Sequence, residues 1–542
     1  MPTRNKNAKE KKEALTSPDD RELTATGEFI RYRSARAGLE REIAENERWW
    51  RNIRSSADGS GVGSDKSGGS AWLFNCIAGK HADAMDSIPV PAVLPREESD
   101  TVSASELSEI LPALLTRNGF EGIWSDCWYD KLKDGTAVYG VFWDSSLLGG
   151  LGDVLIKRLD VTDLYWEPGV TDIQDSKNVF YAASYSDETL LYRYPELKEI
   201  LSRGERAEGN DIYFSDGQTG RTTVIDRYYK KSVGGRTVVH LCRSVRGVVV
   251  FASERDPLYS ERGYYDHGLY PFVIDRLYPK RNCPDGFGFI EILKGTKLQI
   301  DQLEDAVVLN SRIAASRRYF AKDASGINEE EFTDLSSPIV HYSGSGDPSE
   351  AVMPIDVPKL DPACLDLLEY KIRELKETTG NRDFNQGSTS SGVTAASAIE
   401  ALQEAGNKLS RDMLKGSYSA FEKVCTLVIE LIRQFYTLPR CFRITGRNGI
   451  YFRTVDNSRI VPQKQGVYED RLPVFDITVR AEKQSPYTKA AINELAKDMF
   501  SAGLFSREKR DEALICLEMM DFEGRDTVIG LVEKGALAGS AE

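Results

Sequence analysis

Acidic side chains are the first residues in this chain that could do chemistry, because they gather. Asp153, Asp160, Asp163 and Glu167 fall in one short stretch, and Asp172 and Asp175 follow. Carboxylates that converge on two cations about 4 Å apart support metal-assisted hydrolysis. A metal-dependent nuclease, or another DNA-processing enzyme, is therefore one reading of this stretch. Spacing does not show convergence, and carboxylates at strand edges are ordinarily solvated. The other catalytic signatures are missing. His81, His240, His267 and His341 lie far apart without HxxH or HExxH spacing, so no zinc-hydrolase pattern exists. The string GVGSDKS (61–67) places Asp65 where a phosphate-binding loop needs its second glycine, and it follows no strand. No G-x-S-x-G elbow occurs. The eight cysteines stand singly with no CxxC pair, so reduced thiols are expected, not a zinc site or a redox motif. The expectation is a protein with no catalytic residue, no metal and no cofactor.

Charge narrows the partners. The chain has 70 basic and 84 acidic side chains among 542 residues, a formal net charge of −14. Proteins that grip nucleic acid by neutralising phosphates are basic on average. If this one meets DNA, it does so without holding on. An apolar fraction of 41%, with 24 Tyr, 21 Phe and 7 Trp, places it among globular proteins with room for two to four domains. No run of about 18 apolar residues is present, so no membrane partner is expected. The polar start MPTRNKNAKEKKEALTSPDD lacks the apolar core of a secretory signal, which predicts assembly in a cytoplasm.

The elements that must position these residues follow from periodicity. Residues 1–26 read as a disordered arm. Helical spacing covers Gly27–Ile53, then a Gly/Ser linker (55–70), then Ala71–Ile88, which Pro89 and Pro91 end. Helices are predicted near Ala104–Arg117 and Phe120–Lys133. From Thr136 to Arg276 the texture is short antiparallel strands with one helical insert, Ser186–Leu201. A long helix runs from Phe289 to Arg318, with Leu293, Ile300, Val307 and Ala314 seven residues apart, spanning roughly 42 Å. After a segment with one strand candidate, Pro338–Tyr342, a second helix covers Asp361–Thr378. The longest helical pattern, Thr394–Phe435, contains Gly406 and Gly416, where a kink is expected. Strands return at CFRIT, IYFRT and VFDITVRA, and helices at Tyr487–Ser501, Ser506–Leu517 and Asp526–Lys534 close the chain. The fold class is α+β, with two long helices bracketing a small insert as a hairpin that projects from a body.

Three stretches carry a family resemblance. They are DLYWEPGVTDIQDSKNVFYAASYS (163–186) leading to LLYRYPEL, PDGFGFIEILKGTKLQIDQLEDAVVLN (284–310), and NQGSTSSGVTAASAIEALQEAGNKLSR (385–411). Their order and separation resemble the tailed-bacteriophage portal family over about residues 27–535. The resemblance implies a portal-like fold. Residues 27–285 and 394–482 would be the wing, 286–318 and 360–379 the two stem helices, and 319–359 the clip. Residues 380–393 would be the tunnel loop and 483–542 a short helical crown. It also implies a homo-oligomeric ring of twelve copies at one capsid vertex of the virion, a conduit for double-stranded DNA during genome packaging and ejection. The implied protein partners are terminase, major capsid and scaffolding proteins, and head-completion or tail connector proteins. Another ring-forming virion protein, such as a head-completion adaptor, is a second reading, but those are typically much shorter.

On that resemblance the candidate sites are three. The tunnel loop Asn381, Arg382, Asp383, Phe384, Asn385 and Gln386 would touch DNA weakly and reversibly. Along the stem, Glu369, Arg373 and Glu377 would line the channel, or form a solvated face with a Glu369–Arg373 pair. Arg312, Arg317 and Arg318 would meet DNA at the channel mouth, or complement the helix C-terminus. In the clip, Pro338, Ile339, Val340, His341 and Tyr342 would offer a strand edge to a neighbouring subunit or a docking partner.

Overall fold

The structure is a computed structural model that describes residues 20–54, 66–67, 69–198, 201, 215–216, 220–315, 318–321, 326–334, 336, 338–343, 347, 352–355, 360–380, 408–446, 449–465, 469–483, 494, 497–499, 501–503, 510–519, 528–530 and 532. Most of the expected arm, the Gly/Ser linker, the loop from Asn381 to Gln386, Arg317, Gly406 and most of the closing helices lie outside the described residues.

Ten described helices set the frame. They are α1 (Asp20–Trp50), α2 (Trp72–Met85), α3 (Thr101–Arg117), α4 (Phe120–Asp134), α5 (Asp187–Arg193), α6 (Phe289–Ala315), α7 (Glu329–Thr333), α8 (Pro362–Thr379), α9 (Lys408–Phe435) and α10 (Arg510–Met519). Helix and strand are both well represented, so the α+β expectation holds at that level. The body is built on two antiparallel sheets. One has three strands in the order Phe272–Arg276, Thr136–Asp144, Asp153–Leu159. Its central strand is buried over six successive residues, Thr136 to Val141, because α4 and α9 pack on it. The larger sheet joins Val248–Ala252, Arg236–Val245, Arg221–Val233, Asn178–Ser186 and Leu164–Trp166 in that order. The sequence signalled all of these strands except Leu164–Trp166 and Phe272–Arg276, both short apolar runs set among turns.

Helix α9 is the main beam of the body. Met413, Ser417, Ala420, Val424, Leu427 and Leu431 recur at three- and four-residue spacing and are all buried, so one stripe faces the core along the described length. The helix runs unbroken through Gly416, where a kink was expected. A Cβ there would lie 3.8 Å from Lys131 Nζ, an ordinary van der Waals contact.

Helix α2 stops ahead of the prolines as expected, at Met85, but the prolines themselves lie in an element the sequence reading did not include. The segment after α2 is a strand, Ser87–Pro95, paired in register with Phe475–Lys483. Pro89, Pro91 and Pro95 share one phase of this strand, and Val93 belongs to the same phase. The Val93 N–H donates to Ser108 Oγ at 2.8 Å, away from the partner strand. The prolines therefore occupy positions whose missing N–H the ladder does not need, as edge strands permit.

Candidate functional site: the projecting hairpin

Two long helices, α6 and α8, pack on each other and run antiparallel. Phe289, Ile290, Leu293, Lys297, Ile300 and Asp301 near the start of α6 are buried, as are Leu375 and Thr379 near the end of α8. These ends are rooted in the body, where α6 meets α1, α2 and α4. At about 1.5 Å per residue, α6 reaches some 40 Å from that root. Asp361 starts α8 by accepting a hydrogen bond from Ala363 N at 3.0 Å, with Pro362 in the first turn, as N-terminal caps do. Gly380 ends it in a left-handed conformation.

The Gly-rich entry to α6 has a steric reason. Gly135 ends α4 at φ +79°, and a Cβ on it would fall 2.1 Å from the Phe287 carbonyl carbon. A Cβ on Gly288 would lie 2.4 Å from the Lys133 carbonyl oxygen. The chain entering the hairpin thus crosses the end of α4 at backbone contact, a closeness that only glycine allows. Thr136 Oγ1 accepts from Gly286 N at 2.9 Å and fixes the crossing.

The outer half of the hairpin is different. Of the heptad positions, Leu293 and Ile300 are buried, whereas Val307 is half-buried and Ala314 exposed. Leu309 is 59% exposed, Tyr370 58% and Leu365 45%. At the tip, Tyr319–Ala321 pairs with Val352–Pro354, and the strand is tied back by Ile355 N donating to Arg318 O at 2.8 Å. Phe320 and Met353 on this ribbon are 64% and 67% exposed.

The strand expected at Pro338–Tyr342 does not form. Only Tyr342 makes a bridge, to Ile327, and Ile339 and Val340 are exposed coil. Pro338 brings no N–H, and a side chain takes the place of a ladder: Glu331 accepts from His341 N and meets His341 Nδ1, both at 2.8 Å. Asn328 caps α7, which carries Glu329, Glu330 and Glu331 in its first turn. From 319 to 359 the sequence has eight acidic residues against two lysines, so the tip is strongly acidic.

Glu369, Arg373 and Glu377 are exposed on α8. The expected Glu369–Arg373 pair does not form among the described residues; Lys371 Nζ instead meets Glu374 Oε2 at 2.8 Å. Arg312 and Arg318 are exposed at and just beyond the end of α6. The structure thus places these five residues on the hairpin, while Arg317 and the Asn381–Gln386 loop lie outside the described residues.

Four of the six carboxylates that offered an enzymatic reading are structurally occupied. Asp153 is buried against Arg117 and accepts from the Tyr436 hydroxyl at 2.7 Å. Asp160 and Asp172 cap short turns through Thr162 N and Gln174 N, each at 2.9 Å. Glu167 accepts from Lys177 N at 3.2 Å. Among the described residues, no group of three or more histidine, cysteine, aspartate or glutamate side chains is arranged to hold a metal ion. His81 stacks on Tyr129 with ring centres 3.8 Å apart, His240 meets Ser253 Oγ at 3.0 Å, and burial holds His267 down at about 3. All eight cysteines are free thiols.

Sequence reasoning missed the buried charges that tie body elements together and stiffen the start of α6. Lys131 Nζ donates to Asp275 Oδ1 and Ser417 Oγ, both at 2.7 Å, and Ser417 Oγ donates to Asp275 Oδ2 at 2.5 Å. Lys80 Nζ donates to Ser410 Oγ at 2.9 Å and lies 3.7 Å from where a Gly380 Cβ would stand. Lys297 pairs with Asp301 inside α6. An i, i+4 pattern was available for the last pair; the first two join residues hundreds of positions apart.

Comparison with known proteins bears on the chain from the last turn of α6 onward. A family model described as phage P22-like portal protein matches residues 312–541. No curated protein matches the chain. No described helix is long and apolar enough to cross a membrane. The family resemblance read from the sequence is thereby supported over residues 312–541, the part of this chain that is similar to P22-like phage portal proteins.

Proposed function

We propose that copies of this chain close into a ring of twelve at one capsid vertex, and that the ring is the conduit for double-stranded DNA during packaging and ejection. The general role, a structural component of the virion, comes with the family; the ring, its count and the passage of DNA are our reading. The observation that carries it is the outer hairpin, whose Leu309, Ile313, Leu365 and Tyr370 stand at 40% exposure or more in the single chain. Apolar surface of this kind marks an interaction site, and closed homo-oligomers are the usual way to cover it.

In this reading residues 27–285 and 394–482 form the wing, 286–318 and 360–379 the stem, 319–359 the clip, 380–393 the tunnel loop and 483–542 the crown. Loop residues Asn381 to Gln386 touch the duplex lightly. The exposed Glu369, Arg373 and Glu377 set a mixed, weakly binding wall, and Arg312, Arg317 and Arg318 sit near the mouth. The acidic clip repels the duplex from its own surface, since firm phosphate contacts would act as brakes. Terminase docks on the clip during packaging, and head-completion or tail proteins take its place afterwards, while major capsid and scaffolding proteins surround the wing. Tip residues Ile339 and Val340, exposed and outside any ladder, are available to such partners.

The test is a double substitution, Leu309→Glu with Leu365→Glu. We expect native mass measurement to show loss of the ring while far-UV circular dichroism and the thermal transition of the subunit stay close to wild type. A ring that persists with both changes would overturn the interface.

A further inference from the structure

A cleft between the two sheets of the body has no part in the hairpin. Its volume is about 380 Å³, within the usual range of small-molecule sites. At its base, Arg243 donates Nε and Nη2 to the two oxygens of Asp226, both at 2.6 Å, and Nη1 to the Tyr194 hydroxyl at 3.1 Å. That pair cancels its own charge and leaves neither partner seeking a ligand.

The walls are another matter. Tyr181, Tyr185, Tyr228 and Tyr264 line the cleft, and among the described residues none of their hydroxyls makes a hydrogen bond. Desolvation by burial pushes all four phenols up, so they stay neutral O–H groups at physiological pH. None of these four hydroxyls is among the sealed, unsatisfied polar atoms of the described residues, so each is accessible from the cleft and can donate to water or to a guest. Trp143 adds a flat wall, held by stacking on Phe435 with ring centres 4.6 Å apart and planes 7° from parallel.

Charge is found at the lining's exposed edge. Lys157 and Arg193 are both exposed, and neither is within ion-pair distance of a carboxylate among the described residues. The acid near them, Asp144, is engaged with Ser146, whose N and Oγ lie 2.9 Å and 2.6 Å from Asp144 Oδ1. Burial opposes its ionisation, but the Ser146 hydrogen bonds and then Arg193 and Lys157 hold Asp144 below the usual carboxylate range. With Asp144 ionised and the Arg243–Asp226 pair neutral, the lining has one net positive charge on a chain of net charge −14.

We propose that this cleft is a binding site for a planar ring carrying an anionic group. The ring lies against the tyrosine and Trp143 faces, its polar edge takes hydrogen bonds from the phenols, and the anion meets Arg193 and Lys157. Aromatic walls favour stacking of a flat guest, and the two unpaired cations favour a negative one. The proposal is independent of the portal reading, since none of the lining residues belongs to the hairpin.

The test uses the full chain and three probes: phenyl phosphate, phenol and inorganic phosphate, titrated by isothermal calorimetry and by tryptophan emission. We expect phenyl phosphate to bind saturably, and at least about tenfold more tightly than either fragment, because ring and anion each contribute a contact. Arg193→Ala should weaken phenyl phosphate about tenfold, the loss of one charge-assisted hydrogen bond. Trp143→Phe should remove most of the emission change while calorimetric binding persists. Absence of saturable binding, equal binding of phenol or inorganic phosphate, or indifference to Arg193→Ala would each overturn the site. Should Trp143→Phe leave the emission change intact, the guest sits elsewhere and the assignment fails.

Discussion

Lys131 is an ammonium that water scarcely reaches, 1% exposed, with its charge met by Asp275 and its remaining protons by Ser417 Oγ and Met413 O. The group joins α4, the strand Phe272–Arg276 and α9. A buried pair adds little net stability over an apolar replacement, but removing one partner strands the other. Lys131→Met should therefore lower unfolding stability by about 3–5 kcal/mol, read from urea melts of the subunit. Lys131→Met with Asp275→Asn should recover part of that loss; a double variant as unstable as the single one would contradict the account. A second residue-scale prediction concerns Asp134. Burial first, then the nearby Asp130 and Asp160, push its carboxyl from an ordinary 3.8 to about 7, against the opposing hydrogen bond from Asn46 and the charge of Lys133. The native state thus holds a proton that the unfolded chain releases near 3.8. This contribution is present below that pH and is lost as pH rises towards about 7. Asp134→Asn should flatten the fall in urea midpoint between about pH 4 and pH 7, and an unchanged slope would count against it. None of this was legible beforehand, because residues 131, 275 and 417 share no local pattern and burial of a lysine has no sequence signature.

At the scale of elements, the hairpin was the most readable part of the chain. Its helices were visible because Leu293, Ile300, Leu368, Ile372 and Leu375 repeat at helical spacing, and the Gly-rich entry stood out by composition. The reason for those glycines was not visible, since Gly135, on which they rest, comes long before them. Gly288→Ala should lower the thermal midpoint and the yield of assembled material, because the added carbon falls on the Lys133 carbonyl and overpacking costs about 1–3 kcal/mol or more. A variant with wild-type melting would show that the crossing has slack. Failures of reading have equally local causes. The run SIPVPAVLP did mark the end of α2, but its strand went unread because proline was weighed without its phase, and the ladder with Phe475–Lys483 tolerates that phase. PIVHY looked like a strand because the β-branched Ile339 and Val340 precede His341 and Tyr342, yet Glu331 engages His341 in place of a ladder.

For the whole molecule, an acidic chain with an apolar outer hairpin is consistent with an assembly that covers that surface and lets a polyanion slide. If so, DNA contacts are weak and screened by salt. Replacing Glu329, Glu330 and Glu331 with lysine should make isolated assemblies retain linear duplex at low ionic strength, measured by gel shift and reversed by added salt, where wild type retains none. Retention by wild type, or none by the variant, would contradict an acidic clip facing the duplex. Copy number is not written in one chain: sequence shows which residues are apolar, but only the folded hairpin shows that Leu309, Leu365 and Tyr370 stand 45% exposed or more. The most direct measurement is therefore the mass of the purified protein in dilute solution. Our account predicts a closed species near twelve times the 60.5 kDa of one chain, with a central hole in end-on electron-microscopy views. A stable monomer of 60.5 kDa at micromolar concentration, with no ring in any view, would contradict it.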